Sequence, residues 1–242
     1  MAGRITLAQS VLLSIPNYFM QSLMIPRGVC LEIERLARQF IWGCKDGHSK
    51  VSLVGWDSIC QPWARGGLGL THLDKQNKSF LMKIGFSLVS KSDALWVHVL
   101  RSKYSWKEQL PDLISRSQCS HLWKSLSKIW PLFRENLIWS LGDGSTVKRW
   151  KDSWIPGMCP LASKIPFFSN LDLDCCVKEF VNLDGIWNLE MFRVWLLEDV
   201  ICRIVSIPPS HPDARPDRVI WAQSYSGAFS IRSAYWALKK PT

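Results

Sequence analysis

The 242-residue sequence predicts a mainly α fold with a few short β-hairpins, an α+β chain. Three observations lead there. Apolar residues recur at helical 3,4 spacing through most of the chain. Two segments, residues 138–150 and 217–231, instead place a tryptophan before a polar, glycine-containing turn and a short extended run. And 47% of the residues are apolar, enough to bury a sizeable core in one large or two smaller domains.

The elements follow in order. Ile5, Ala8, Leu12, Ile15 and Phe19 form one stripe of a first helix, which Pro16 should kink by removing an internal hydrogen bond. A second helix, about Val29–Trp42, repeats the spacing at Val29, Ile33, Leu36 and Phe40, with Arg35 and Arg38 on other faces. A short extended segment then turns at Pro62 and Arg65-Gly66-Gly67. It enters a helix carrying Leu73, Phe80, Leu81, Ile84 and Leu88. Asp93 or Ser92 caps a helix over Ala94–Tyr104, and Ser120 caps one over Leu122–Glu135.

The stretch "IWSLGDGSTVKRWKDSWIP", residues 138–156, holds a glycine-rich turn and three tryptophans. A phosphate-binding Walker loop needs Gly-x-x-x-x-Gly-Lys-Ser/Thr, and here the nearest lysine after Gly142 and Gly144 is Lys148. The spacing fails, which leaves a hairpin of Ile138–Leu141 and Thr146–Trp150 around Gly142-Asp143-Gly144. A weakly patterned stretch follows from Ile155 to about Val181. Asn188 then caps a helix with Leu189, Phe192, Leu196, Val200 and Ile204 along it. "SIPPSHPDARPD" reads as a proline-rich linker. The C-terminal segment gives a strand, a turn at Ser226-Gly227, a second strand and a helix from Arg232.

Composition narrows the function. No run approaches the roughly 18 apolar residues that cross a bilayer. The N-terminus, with only Val11-Leu12-Leu13 as a short apolar run, does not read as a signal peptide. Eight cysteines without any Cys-x-x-Cys pair argue against a disulfide scaffold and for an intracellular setting, nucleus or cytoplasm. Two-metal polymerases and nucleases need clustered carboxylates. Glu198-Asp199 point apart on a helix, and Asp172 and Asp174 sit in a weakly structured stretch. No His-Glu-x-x-His or Gly-x-Ser-x-Gly occurs, and Cys44 with His48 lacks further ligands at zinc-site spacing. Cys30, Cys44 and Cys60 read as small core residues. The residues present no catalytic constellation.

The net charge of +10 is uneven. Residues 1–60 carry +2, residues 61–130 carry +7, residues 131–170 carry +2 and residues 171–242 carry −1. The excess in the middle favours a polyanionic partner, with a solvated lysine surface as the other reading.

"AGRITLAQSVLLSIPNYFMQSLMIP", "WDSICQPWARGGLGL", "LWVHVLRSKY", "GDGSTVKRWKDSWIP" and "GAFSIRSAYWAL" occur in this order. The series resembles the C-terminal half of plant LINE-type (non-LTR) retroelement reverse transcriptases, over essentially the whole chain. The resemblance implies a helical thumb-like region over residues 1–90 and a connection region over 91–206. It also implies that residues 207–242 enter a zinc-binding segment; some family members continue to a ribonuclease-H-like domain. Ala2-Gly3-Arg4 and Ser10 match the start of the thumb-like helix, and Pro16 with Met20-Gln21 its kink. Trp56, Asp57, Cys60, Pro62 and Gly66-Gly67-Leu68-Gly69 match a central turn. Gly142, Gly144, Trp150, Asp152 and Trp154 match the hairpin, and Trp221, Gly227, Phe229, Ser233, Ala234 and Tyr235 the zinc-segment entrance. Trp63-Ala64 departs from the family, where a basic residue is frequent.

The resemblance further implies that the palm with its catalytic aspartates precedes Met1 and that the zinc ligands follow Thr242. Mg²⁺ and Zn²⁺ are thus expected only for the full-length family protein, and no cofactor for this segment. A thumb-like region holds an RNA/DNA duplex or hybrid by its sugar-phosphate backbone, which requires spaced cations on helices. The candidates are Arg4, Arg35, Arg38, Lys75, Lys78, Lys83 and Lys103, with Lys148, Arg149 and Lys151 as a minor contact. Trp96, Trp123, Trp130 and Trp195 are read as core residues rather than base-stacking platforms. The alternative is a degenerate or domesticated interaction or structural protein with no nucleic-acid role. Apolar surface left on the Ile5–Phe19 stripe and on Tyr235, Trp236 and Leu238 would promote self-association. On that expectation, removing residues 207–242 improves solubility.

Overall fold

The computed structural model describes residues 2–45, 48–49, 54–90, 93–106, 108–165, 171–182 and 184–239. Its helices are α1 (Ala2–Leu7), α2 (Ile15–Met20), α3 (Arg27–Trp42), α4 (Trp56–Ile59), α5 (Leu73–Ser90), α6 (Leu95–Lys103), α7 (His121–Arg134), α8 (Leu189–Arg193), α9 (Glu198–Val205) and α10 (Ile231–Ala237). The strands are β1 (Cys44–Lys45), β2 (His48–Ser49), β3 (Leu137–Ser140) and β4 (Arg218–Trp221). Both ladders, β1–β2 and β3–β4, are antiparallel and two-stranded, so the fold is mainly α with little β structure. Contacts divide the chain into two compact units. Unit 1 comprises Met1–Leu88, Asp93–Phe133 and Ser230–Thr242; unit 2 comprises Val89–Ser92 and Arg134–Phe229. Each unit is discontinuous in sequence, because the C-terminal residues return to pair and pack with earlier ones.

Unit 1 begins with the expected break near Pro16. The chain passes from α1 into a π-helical stretch, Ala8–Leu12, closed by the Leu13 amide on the Ala8 carbonyl at 2.9 Å. Pro16 then occupies the first turn of α2, where its missing N–H costs nothing. The buried face of α3 is Cys30, Glu34, Ala37 and Ile41, one position on from the predicted stripe. Val29, Leu36 and Phe40 are exposed instead. Small side chains at Cys30 and Ala37 admit close packing, and polar partners hold Glu34. Its Oε1 accepts the Leu73 amide at 2.7 Å, satisfying an orphan donor at the start of α5. His72 lies between two carboxylates, with Nδ1 3.6 Å from Glu34 and Nε2 3.0 Å from Asp57. Its backbone N–H donates to the Tyr235 hydroxyl at 3.1 Å. This network joins α3, α4, α5 and α10. Buried Asn77 accepts from the Ile25 amide (2.8 Å) and donates to the Met20 and Leu23 carbonyls (2.9 and 2.7 Å), fastening the loop after α2 onto α5.

The α6–α7 part is aromatic. Tyr104 stacks on Trp123 at 3.8 Å between ring centroids, and Trp106 meets Trp123 and Trp130 edge-on. The Trp123 and Trp130 indoles donate to the Ile114 and Pro111 carbonyls at 2.6 and 2.9 Å. Ser120 caps α7 as expected, accepting from the Trp123 amide at 3.3 Å. The residue before α6 is Ala94, which supplies no side-chain cap, and Ser92 lies outside the described residues. Trp123 and Trp130 are buried core residues and Trp195 is half-buried, but Trp96 is 43% exposed. In α6 Val97 is the buried residue, and half-buried Arg101 donates to the Leu88 carbonyl.

Unit 2 corrects the hairpin. β3 does not pair with residues 146–150, where Lys148 makes only an isolated bridge to Cys176. It pairs with β4, about eighty residues on, in the register Leu137↔Trp221 to Ser140↔Arg218. The loop that follows β3 wraps a buried carboxylate. Asp217 Oδ1 accepts the Gly142 and Gly144 amides at 2.7 and 3.0 Å, and Oδ2 the Thr146 and Val147 amides at 3.0 and 3.3 Å. Both glycines are required: a Cβ on Gly142 would run into the Arg215 carbonyl, and Gly144 has φ +69° against Ser210. Trp139, Trp150, Trp154 and Trp221 are buried, so these tryptophans fill the core. The helix expected after Asn188 is two, α8 and α9, and Asn188 supplies no cap to the first. Residues 166–170 of the weakly patterned stretch lie outside the described set.

Asp217→Asn should lower stability by about 2–4 kcal/mol, because an amide group would face backbone N–H donors and leave buried donors unpaired. The exposed Asp184→Asn should stay within about 0.5 kcal/mol; urea denaturation of both variants measures the difference. Removing residues 207–242 deletes β4, Asp217 and α10. The shortened chain should therefore lose cooperative melting and aggregate, the reverse of the sequence-based expectation, as thermal melts and size exclusion would register.

Candidate nucleic-acid interface

The cations proposed from sequence fall in two settings. In unit 1, Arg4 is exposed on α1, its guanidinium beside Gly43, where a Cβ would lie 2.6 Å from Nη1. On α3, Arg35 is exposed but engaged in a two-pronged contact with Glu32 (2.9 and 2.6 Å), one turn back. That contact holds the Glu32 carboxyl below its usual range. Arg38, half-buried, lies over the Trp56 ring at 5.5 Å. Lys75 and Lys78 are half-buried on α5 and Lys83 is exposed; Lys103 at the end of α6 is exposed beside the Tyr104 ring. Arg4, Lys75, Lys78, Lys83 and Lys103 have no ion-pair partner among the described residues.

In unit 2 the basic cluster is used internally. The Lys148 ammonium donates to the Asp174 carbonyl at 2.7 Å, and Lys151 pairs with the Asp174 carboxylate at 2.8 Å, holding that carboxyl below its ordinary value. Arg149 is the clear correction. It is only 3% exposed, its guanidinium 3.0 Å from the Phe180 ring centroid and 4.0 Å from that of Trp150. Its Nε and Nη1 have no hydrogen-bond partner among the described residues, and burial lowers its pKa to about 10. The turn that brings Lys148 and Lys151 to Asp174 points Arg149 and Trp150, between them, inward. Arg149 cannot meet a phosphate from this position.

The GDGST loop cannot cradle one either. The amides of Gly142, Gly144, Thr146 and Val147, which a phosphate would need, already hold Asp217. Asp172 and Asp174 are exposed, with the Asp174 amide donating to Asp172 Oδ1 at 2.9 Å; both lie in loop, not on a strand face. Among the described residues no group of three His, Cys, Asp or Glu could hold a metal ion. The side chains of Cys44 and His48 lie outside the described ones. Burial pushes the Cys30 and Cys60 thiols up to about 11 and 12, as befits core residues.

Sequence reasoning missed exposed cations on unit 1: Arg27 on α3, Arg65 in the central turn, Lys124 and Lys128 on α7, and Arg232 on α10. The i,i+4 spacing of Lys124 and Lys128, opposite the buried Trp123, Leu126 and Trp130, was the available signal. Counted over the units, the asymmetry is sharper than any linear window indicates. Unit 1 holds 19 Lys and Arg against 8 Asp and Glu, a net +11, and unit 2 holds 11 against 12, a net −1.

The chain is 29% identical over 238 residues to the "Putative ribonuclease H protein" of Arabidopsis thaliana, an overlap covering 97% of this chain and 38% of that protein. It is 27% identical over 150 residues to an uncharacterized mitochondrial protein of Arabidopsis thaliana, covering 62% of this chain and 97% of that one. Its similarities are thus to plant proteins, and it spans well under half the length of the first. No family model and no solved structure matches. Among the described residues no helix is long and apolar enough to cross a membrane.

Arg149→Met should leave nucleic-acid affinity and its salt dependence unchanged. Loss of a true phosphate contact would instead flatten the log K against log[salt] slope by about 0.9. Stability should hold or rise, since a buried cation with unpaired donors gives way to a packed apolar chain of similar length.

Proposed function

We propose that this chain is a non-catalytic segment of a retroelement reverse transcriptase that holds duplex or hybrid nucleic acid by its sugar-phosphate backbone, through unit 1. The observation that carries the reading is the segregation of charge. The whole excess lies on the helical unit, where Lys75, Lys78, Lys83, Lys103, Lys124 and Lys128 project from three helices without acidic partners among the described residues. Spaced cations on rigid helices meet phosphates without reading bases, so the binding is sequence-indifferent. The similarity to a ribonuclease H-named plant protein supports a nucleic-acid context. On this reading the thumb-like part falls within unit 1, and Mg²⁺ and Zn²⁺ belong to other parts of the full-length protein.

The reading also extends to self-association. Leu7, Val11, Ile15, Tyr18 and Phe19 form exposed apolar surface on α1, α2 and the π-helical stretch. Tyr235, expected to be exposed with them, is instead buried against His72, so the final helix contributes less than the sequence suggested.

The test is a salt titration of duplex and hybrid binding by the full chain. Engagement of about four to six phosphates gives a slope of roughly −4 to −5, and replacing Lys75, Lys78 and Lys83 by Gln flattens it by about 2 to 3. A slope near zero, or one that the triple variant leaves unchanged, contradicts the proposal and leaves the interaction or structural protein as the reading.

A further inference from the structure

Trp63, the departure from the family pattern, is 74% exposed, and the backbone around it is built to keep it there. Pro62 leads into a single 3-10 turn, Trp63–Arg65, which Gly66 ends in a left-handed conformation at φ +76°. Gly67 passes so close to Gln61 that a Cβ would run into its backbone. Gly69, at φ +69°, leaves the room that the indole edge occupies, since a Cβ there would lie 3.0 Å from Trp63 Nε1. The Arg-Gly-Gly-Leu-Gly turn thus holds a large aromatic ring on one wall of a groove inside unit 1. Ile231, Arg232, Tyr235 and Trp236 of α10 line the same groove, with Thr71 and Gln76 among its polar residues.

The groove encloses about 480 Å³, within the range of small-ligand sites. Among the described residues no carboxylate lines it. Arg232 lies in the wall and Arg65 closes the 3-10 turn, both exposed. The Lys239 ammonium, donating to the Cys60 carbonyl at 3.0 Å, stands 5.0 Å from the Trp236 ring centroid. The Thr71 hydroxyl donates to Gln76 Oε1, and Gln76 Nε2 donates to Asn17 Oδ1 at 2.9 Å, so both polar side chains already have partners within the protein.

We propose that this groove takes an unpaired nucleobase of a single-stranded nucleic acid, stacked on Trp63, with the flanking phosphates met by Arg65 and Arg232. A π-face next to cations, with no acid among the described wall residues, is an arrangement that binds single strands, and it tolerates any base. The inference rests on the reading that unit 1 binds nucleic acid, and goes beyond it: backbone contacts hold a duplex, whereas this groove favours a strand with free bases.

The experiment compares three fluorescent probes on the full chain at fixed salt: oligothymidylate, an abasic strand of equal length and charge, and a duplex. The wild-type chain should prefer oligothymidylate over the abasic strand. Trp63→Ala should raise the oligothymidylate Kd about 5- to 100-fold, the equivalent of one lost stack, and leave abasic and duplex binding unchanged. Trp63→Phe should restore most of the preference. The side chain is exposed, so neither variant threatens the fold. Equal affinity of the wild type for thymidylate and abasic strands, or a Trp63→Ala variant that keeps the preference, overturns the groove while leaving backbone binding intact. Binding to none of the probes overturns both.

Discussion

One buried carboxylate organises unit 2. Asp217 gathers four backbone amides from a loop some seventy residues earlier, and each of the surrounding peculiarities follows from that contact. The loop must approach closely enough for its amides to converge, so Gly142 tolerates no side chain. The chain must reverse within a few residues, so Gly144 takes a left-handed conformation. Asp217 immediately precedes β4, and its anchoring places Arg218–Trp221 against β3, where a four-residue ladder could not hold register alone. Val147 and the tryptophans at 139, 150, 154 and 221 then close into a core. The loop has the converging amides of an anion site, but its anion is the protein's own.

Unit 1 uses the same device on a smaller scale. Glu34, buried on α3, accepts the Leu73 amide at the head of α5 and lies beside His72, whose own amide reaches α10. Polar groups that would be costly if unpaired instead fix which face of each helix turns inward. The net positive charge belongs wholly to this unit. Acidic and basic residues balance in unit 2, where Lys148, Lys151 and Asp174 satisfy one another. Net charge is therefore separated by unit, +11 against −1, and this separation rather than the total of +10 is what the proposed polyanionic partner rests on.

Much of this was legible in the sequence. The bounds of α3, α6 and α7 lie within about two residues of those expected from apolar spacing, the usual latitude at helix ends. Ser120 was recognised as a cap, and Trp123 and Trp130 as core, because both signals are local. What sequence reasoning misplaced is non-local. Nothing near residue 140 indicates that its partner strand begins at Arg218, and Gly-Asp-Gly reads as a hairpin turn until Asp217 is seen inside it. The inward face of α3 was set one residue off, since a period-3.6 stripe of large apolar residues outweighed Cys30, Glu34 and Ala37. Lys148, Arg149 and Lys151 looked like one basic cluster. A turn splits them, and the burial of a guanidinium among Trp150, Phe180 and Phe192 has no signature in linear spacing.

The most direct measurement is residue-resolved amide hydrogen exchange on the full chain, without ligand, with inorganic phosphate and with duplex nucleic acid. The account predicts that the amides of Gly142, Gly144, Thr146 and Val147 are protected in all three conditions to the same degree. It also predicts that duplex adds protection only in unit 1, around α5 and α7. Fast exchange at those four amides that phosphate or duplex suppresses would contradict it, because the loop would then be an open anion site and not a clamp on Asp217.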